Sequence, residues 1–123
     1  MYTLATSAVI YYLSGESKAA ALIAGVLANQ GILYVPTVVR LELLSKSDIT
    51  KDEYTTIASF LTECRQVHLD DSIADIAADV RRLYKIKTPD SIIAATALFT
   101  GSTLLTRNVR DFKRVTDLRV EMI

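Results

Sequence analysis

The sequence predicts an α/β fold with three layers, a central parallel sheet of four to five short strands carrying helices on both faces. Three observations predict it. Short runs rich in Val, Ile, Leu and Tyr recur along the chain, and longer stretches with helical apolar spacing separate them. Strands alternating with helices build a parallel sheet, and right-handed crossovers bring the carboxyl ends of its strands to one edge. The chain has 123 residues, half of them hydrophobic, which is enough for one well-filled core and is read as a single domain over residues 1–123.

The elements follow in order. Tyr2-Thr3-Leu4 reads as a strand, with Thr6 and Ser7 as the cap of a short apolar helix through Leu13. "KAAALIAGVLANQG" reads as a helix ended by Gly31, and "ILYVP" as a strand stopped by Pro36. "TVVRLELLSKS" reads as a helix capped by Thr37. Thr50 and Glu53 form a capping box ahead of apolar positions Ile57, Ala58, Phe60 and Leu61. "RQVHL" is a third strand, and the next helix places Ile73, Ile76, Ala77, Val80 and Leu83 on one side. "KTPDSIIAATALFTG" combines a Thr88 cap, Pro89 at the first helical position and a terminal Gly101, and it is apolar on nearly every side, so it reads as buried. "STLLT" and "LRVEMI" complete the strands.

Composition removes several chemistries. Cys64 and His68 are the only cysteine and histidine, so an internal disulfide framework and a structural Cys/His zinc site are both excluded. Cys64 reads as a small buried hydrophobe near a helix end, and with one histidine a nucleophilic triad has little to work with. No apolar run is long enough to cross a bilayer and no leader pattern opens the chain, so the expectation is a cytoplasmic protein without a membrane partner. Net charge is zero, but residues 1–80 hold five Lys/Arg against ten Asp/Glu, and residues 81–123 hold nine against four. A basic second half can form a local phosphate-binding surface, or simply solubilise helix faces.

Catalysis, if present, must then rest on carboxylates or on a metal they hold. Glu42, Asp90 and Asp111 are acids beside apolar residues, each near an element end on the expected carboxyl edge. Each has a plainer role. Asp90 suits a helix N-terminus, Glu42 the polar side of an amphipathic helix, and Asp111 a turn cap or a pair with Arg107 or Arg114. Gathered in one place, the three would repel unless a cation neutralised them, and hard divalent ions such as Mg²⁺ or Mn²⁺ suit oxygen ligands.

"LATSAVIYYL", "VVRLELLS", "KTPDSIIAATAL" and "LLTRNVRDF" resemble, in order and spacing, the four motif regions of PIN-domain proteins, most closely the VapC-like toxin ribonucleases of prokaryotic toxin–antitoxin pairs. The resemblance implies an Mg²⁺- or Mn²⁺-dependent endoribonuclease with Glu42, Asp90 and Asp111 as metal ligands, Asn108 being the alternative or helper to Asp111. It further implies that the hydroxyls of Thr6, Ser7 and Thr106 line the pocket. The first motif normally reads Leu-Asp-Thr-(Ser/Asn), whereas this chain reads Leu4-Ala5-Thr6-Ser7. Ala5 stands in the place of a metal-binding Asp, so the expectation is little or no cleavage by the chain as it stands. Two origins fit Ala5, a natural pseudo-enzyme or a deliberate replacement, and the three intact acids favour the second. The implied partners are a VapB-like antitoxin, an RNA substrate with tRNA among the candidates, and a second copy of the chain in a homodimer. The competing reading is a non-catalytic PIN-fold module that binds antitoxin or RNA, with Tyr11, Tyr12 and residues 51–64 as contact surface or, for the two tyrosines, core. A flavodoxin-like or receiver-like domain also fits the element order, but "ATSA" is no Gly-rich phosphate loop and the first strand ends without an acidic pair.

Overall fold

Short strands separated by helices can pair in parallel, because parallel neighbours need a crossover connection of this kind. The computed structural model, describing residues 1–123, has five such strands. In chain order the elements are β1 (Tyr2–Leu4), α1 (Thr6–Leu13), α2 (Ser17–Ala28), β2 (Leu33–Pro36), α3 (Thr37–Leu44), α4 (Lys51–Thr62), β3 (Arg65–Val67), α5 (Asp71–Tyr84), α6 (Thr88–Thr100), β4 (Thr103–Thr106), α7 (Val109–Phe112) and β5 (Val120–Met122). The sheet order is β3-β2-β1-β4-β5, parallel throughout. Register pairs Leu4 with Leu105 and Tyr2 with Leu33, so β1 is central. Strand order reverses direction between β1 and β4, and right-handed crossovers then place α1–α4 and α5–α6 on opposite faces. That reversal is where open α/β sheets bind ligands, beyond the carboxyl ends of the two strands.

The core runs through the sheet into both layers. Leu4, Val9, Ile23, Leu33, Val35, Val39, Leu61, Leu104 and Leu105 have almost no accessible surface. Beneath them Thr3 Oγ1 and Ser102 Oγ lie 2.6 Å apart and Ser102 Oγ reaches Thr100 Oγ1 at 2.8 Å, so these hydroxyls satisfy one another. Cys64 is half-buried at the end of α4, and burial pushes its thiol up to about 12, leaving it unreactive. His68 lies exposed just past β3. No helix is long and apolar enough to cross a membrane.

Several element ends differ from the sequence expectation, each for a local reason. The N-cap of α1 is Ala5, whose carbonyl accepts from Ala8 and Val9; Thr6 and Ser7 sit inside the first turn with their hydroxyls bonded elsewhere. Pro36 and Lys87, rather than Thr37 and Thr88, occupy the N-cap positions of α3 and α6, and no side-chain cap forms at either. Helix α2 ends before Gly31: Gln30 takes the left-handed conformation (φ 57°), and the Gly31 N–H donates to Val26 O at 2.8 Å. Gly31 is needed for close approach, because a Cβ there would lie 2.7 Å from Val26 Cγ1. Leu83 is exposed rather than part of the buried side of α5, and α6 leaves Phe99 exposed while burying Ser91 and Ile93–Ala97. The Thr50–Glu53 capping box of α4 and the left-handed Gly101 after α6 form as expected.

Candidate active site

Glu42, Asp90 and Asp111 come from three different elements to the carboxyl edge of the sheet. Glu42 is on α3, after β2; Asp90 is in the first turn of α6; Asp111 is on α7, after β4. Burial pushes the Asp90 carboxyl above its ordinary value, and the negative charges of Glu42 and Asp111 push it further, while Lys87 pulls it back. A carboxyl that feels both other acids places all three in one electrostatic neighbourhood. No three acidic, His or Cys side chains stand close enough to grip a metal ion as a cage. The donors are therefore of the right chemistry for a hard cation but form an open, incomplete set, and Ala5 adds no oxygen to it.

The hydroxyls that were expected to cap α1 orient this cluster instead. Thr6 Oγ1 donates to Glu42 Oε1 at 2.6 Å, tying α1 to α3. Ser7 Oγ accepts from the Arg107 N–H at 3.0 Å and lies 3.4 Å from Thr106 Oγ1. Thr106 Oγ1 accepts from the Asn108 N–H at 3.0 Å, and Asn108 Nδ2 donates to Asp111 Oδ2 at 2.9 Å. Asn108 therefore supports Asp111, and neither Arg107 nor Arg114 pairs with it. Ala5 lies at the head of this network, one residue from Thr6, with its N–H donating to Leu105 O at 3.0 Å and its side chain buried.

Arg107 is the residue whose role sequence reasoning missed. Its guanidinium lies 3.8 Å from the Tyr11 ring centroid and 3.3 Å from Glu16 Oε2. The partners are some ninety residues away, so no local pattern announces them; a cation directly after a strand end was the only signal. Tyr12 packs on Phe60, with ring centroids 4.9 Å apart. The two tyrosines are thus accounted for by packing and by Arg107. Substituting Arg107→Met is expected to cost about 1 kcal/mol, combining a cation–π contact and a partly exposed ion pair. A double-mutant cycle with Tyr11→Leu, read from urea unfolding, should give a coupling of about 0.5–1 kcal/mol. Zero coupling would show that the stacking carries no energy.

The position of Asp90 has its own consequence. A carboxyl raised in the folded state is harder to ionise there than in the unfolded chain. Stability is thus unaffected below its ordinary value of 3.8 and falls as pH rises through the raised value. Asp90→Asn removes that penalty. Its melting temperature should match the parent's at strongly acid pH and exceed it at pH 7; a difference of the opposite sign at pH 7 would contradict the clustering.

Beside the acids, a groove of about 620 Å³ opens between α1, α3 and α4. Ile10, Leu13, Leu43 and Ile57 supply its apolar lining, and Glu42 lines it too.

A protein-family model for the PIN domain matches residues 2–118. Ribonuclease VapC19 of Mycobacterium tuberculosis is 31% identical over 124 residues, covering 97% of this chain and 98% of that protein. Among solved structures, VapBC2 from Rickettsia felis, bound to a DNA fragment from the promoter, superposes with a TM-score of 0.87 at 21% identity, over 99% of this chain and 98% of that one. VapBC from Salmonella typhimurium, also bound to DNA, superposes with a TM-score of 0.85 at 19% identity, over 98% and 96%. At such identities these two structures establish the fold and nothing finer. The family match, the near full-length relative and the five-stranded parallel sheet agree, and the chain belongs to the PIN-domain family as a VapC-like member.

Proposed function

We propose that this chain has the framework of a metal-dependent endoribonuclease toxin, restrained by a VapB-like antitoxin, and that it cleaves little or no RNA while Ala5 holds the place of an acid. The observation that carries the reading is the shared field of Glu42, Asp90 and Asp111 at the strand-order reversal. Like charges drawn together from three elements cost stability and call for a cation. Glu42, Asp90 and Asp111 would hold it, and their oxygens suit Mg²⁺ or Mn²⁺. Such an ion, when bound, supplies an activated water and neutralises charge on a phosphoryl oxygen. The protein's own part is positioning: Thr6 fixes Glu42, Asn108 fixes Asp111, and the Ser7 and Thr106 hydroxyls hold the turn that carries Asn108 and Asp111. The ribonuclease name of the Mycobacterium tuberculosis relative supports RNA as substrate. The groove that Glu42 lines, with Ile10 exposed in it, suits an antitoxin segment of apolar character carrying a cation toward the acids.

The missing carboxylate favours a second reading, a pseudo-enzyme that retains antitoxin or RNA binding only. An RNA cleavage assay on the chain and its Ala5→Asp variant, with Mg²⁺, with Mn²⁺ and with EDTA, separates the two. Cleavage that needs both the Asp and the ion supports the nuclease; none under any condition leaves the binding module.

A further inference from the structure

The cations of the second half are not spread evenly over the surface. Arg81, Arg82, Lys85 and Lys87 gather at the carboxyl end of α5 and in the short loop that leads to α6. Ala78, Arg81, Arg82 and Lys85 line an open hollow of about 490 Å³. Arg82 is paired with Asp79 at 2.6 Å, and Arg81 Nη1 donates to Ile86 O at 3.0 Å, bracing the loop. Lys85 and Lys87 form no ion pair; both are exposed, while Ile86 between them is buried in the core. The Thr116 N–H donates to Tyr84 Oη at 3.2 Å, which brings the turn carrying Lys113, Arg114 and one acid, Asp117, against the same helix end.

Helix electrostatics account for part of this. Cations at the C-terminus of α5 complement its dipole. They do not account for Lys87, which occupies the N-cap of α6, the helix end where a positive charge is unfavourable. Nor do they account for Lys85 as a residue choice. It holds a left-handed conformation (φ 55°, ψ 40°) that Gly or Asn would adopt more cheaply. Two lysines kept against local preference, three to five residues from Asp90 in the chain, point to a ligand with repeated negative charges passing the carboxylate cluster. Lys87 is the N-cap of α6, and Asp90 lies in the first turn of that same helix.

We propose that Lys85 and Lys87, backed by Arg81, form the track that holds the phosphates of a single RNA strand on one side of the Glu42–Asp90–Asp111 cluster. The assignment rests on the ribonuclease reading and gives it a direction: one phosphate lies at the acids, and its neighbours along the strand lie on Lys87 and then Lys85. No base-reading group is involved, so the track contributes affinity rather than sequence preference.

The chain as it stands serves for binding, with fluorescence anisotropy of a labelled unstructured RNA oligonucleotide read across a salt series. The Lys85→Asn/Lys87→Gln pair, with Asn chosen to suit the left-handed position, should weaken binding about tenfold near 0.1 M salt. It should also lower the slope of log affinity against log salt by about 1.4, the loss of two phosphate contacts. Lys85→Arg/Lys87→Arg should restore both quantities, and Lys18→Gln/Arg65→Gln, the same charge change at exposed positions elsewhere, should leave them alone. Circular dichroism melts verify that each variant folds. In the Ala5→Asp protein the Asn/Gln pair should raise KM far more than it lowers kcat. Unchanged affinity, slope and KM in that pair, with RNA still bound by the parent and cleaved by Ala5→Asp, would overturn the track and leave the nuclease standing. Duplex DNA bound as tightly, and weakened as much by the pair, would also overturn it by making the patch a general polyanion surface. A parent that binds no RNA, with an Ala5→Asp variant that cuts none, would remove the ribonuclease reading and the track with it.

Discussion

Ala5→Asp is expected to cleave RNA only when Mg²⁺ or Mn²⁺ is supplied, against an expected cleavage of little or none by the chain as it stands. The gain should be at least about 10–100-fold, since disturbing even an outer partner of a metal ligand costs that much in affinity or activity. The same substitution has a stability signature that does not depend on substrate. Ala5 is the N-cap of α1 and offers it no side-chain acceptor, so an Asp there can add about 0.5–2 kcal/mol of capping. Against this, position 5 is buried, the adjacent Thr6 is bonded to the Glu42 carboxylate, and burial and like charge already push Asp90 up. A fourth carboxylate raises that cost, and without a cation the variant should melt no higher than the parent despite the cap. With a divalent ion at a hundred times its dissociation constant, binding to the folded state alone adds about 2.7 kcal/mol. The melting temperature of the variant should therefore rise by several degrees on adding Mn²⁺, and that of the parent by much less. Calorimetry that detects no Mn²⁺ binding to Ala5→Asp, together with no cleavage, would end the metal-site reading. Efficient cleavage by the parent, lost in Glu42→Gln, would instead show that position 5 is not needed.

The sheet was legible because its signal is periodic: short, mostly apolar runs of three or four residues punctuated by helical spacing leave few alternatives to parallel crossovers. Helix starts were less legible, for a reason specific to this edge. Thr6 and Ser7 are good caps in isolation, but a hydroxyl here gains more from Glu42 and from the Arg107 N–H than from its own helix. The tertiary partner wins, and the cap moves to a residue with no side-chain acceptor. Leu83 and Phe99 read as core because apolar spacing records a helix face without recording where the partner layer stops. The acids stood out one by one as carboxylates among apolar neighbours, but their convergence depends on strand order, which periodicity does not encode. Resemblance to the four motifs supplied it. Arg107 escaped both routes, since Tyr11 and Glu16 are set beside it only by the pairing of β1 with β4.

Phe112→Ala is expected to be the most destabilising single change near the site, at about 3–5 kcal/mol. Helix α7 is four residues long, too short to persist by its own hydrogen bonds, and Phe112 is its one buried side chain. That ring, 2% exposed, anchors the turn into the main core, while its chain neighbour Asp111 lies exposed on the acidic edge. The loss is a large share of the 5–15 kcal/mol that usually separates folded from unfolded states. Urea unfolding should show a lower midpoint with an unchanged slope. A cost below about 1 kcal/mol would mean that the polar links, Asn108 to Asp111 and to Thr106, hold the turn without the ring. Asp111→Asn is the complementary variant, because it keeps the ring and removes one of the like charges that push Asp90 up. In the Ala5→Asp background it should retain or slightly raise stability while cleavage is lost. Phe112→Ala in that background should lose both, since the anchor that makes α7 fold is the same one that delivers Asp111 to the cluster.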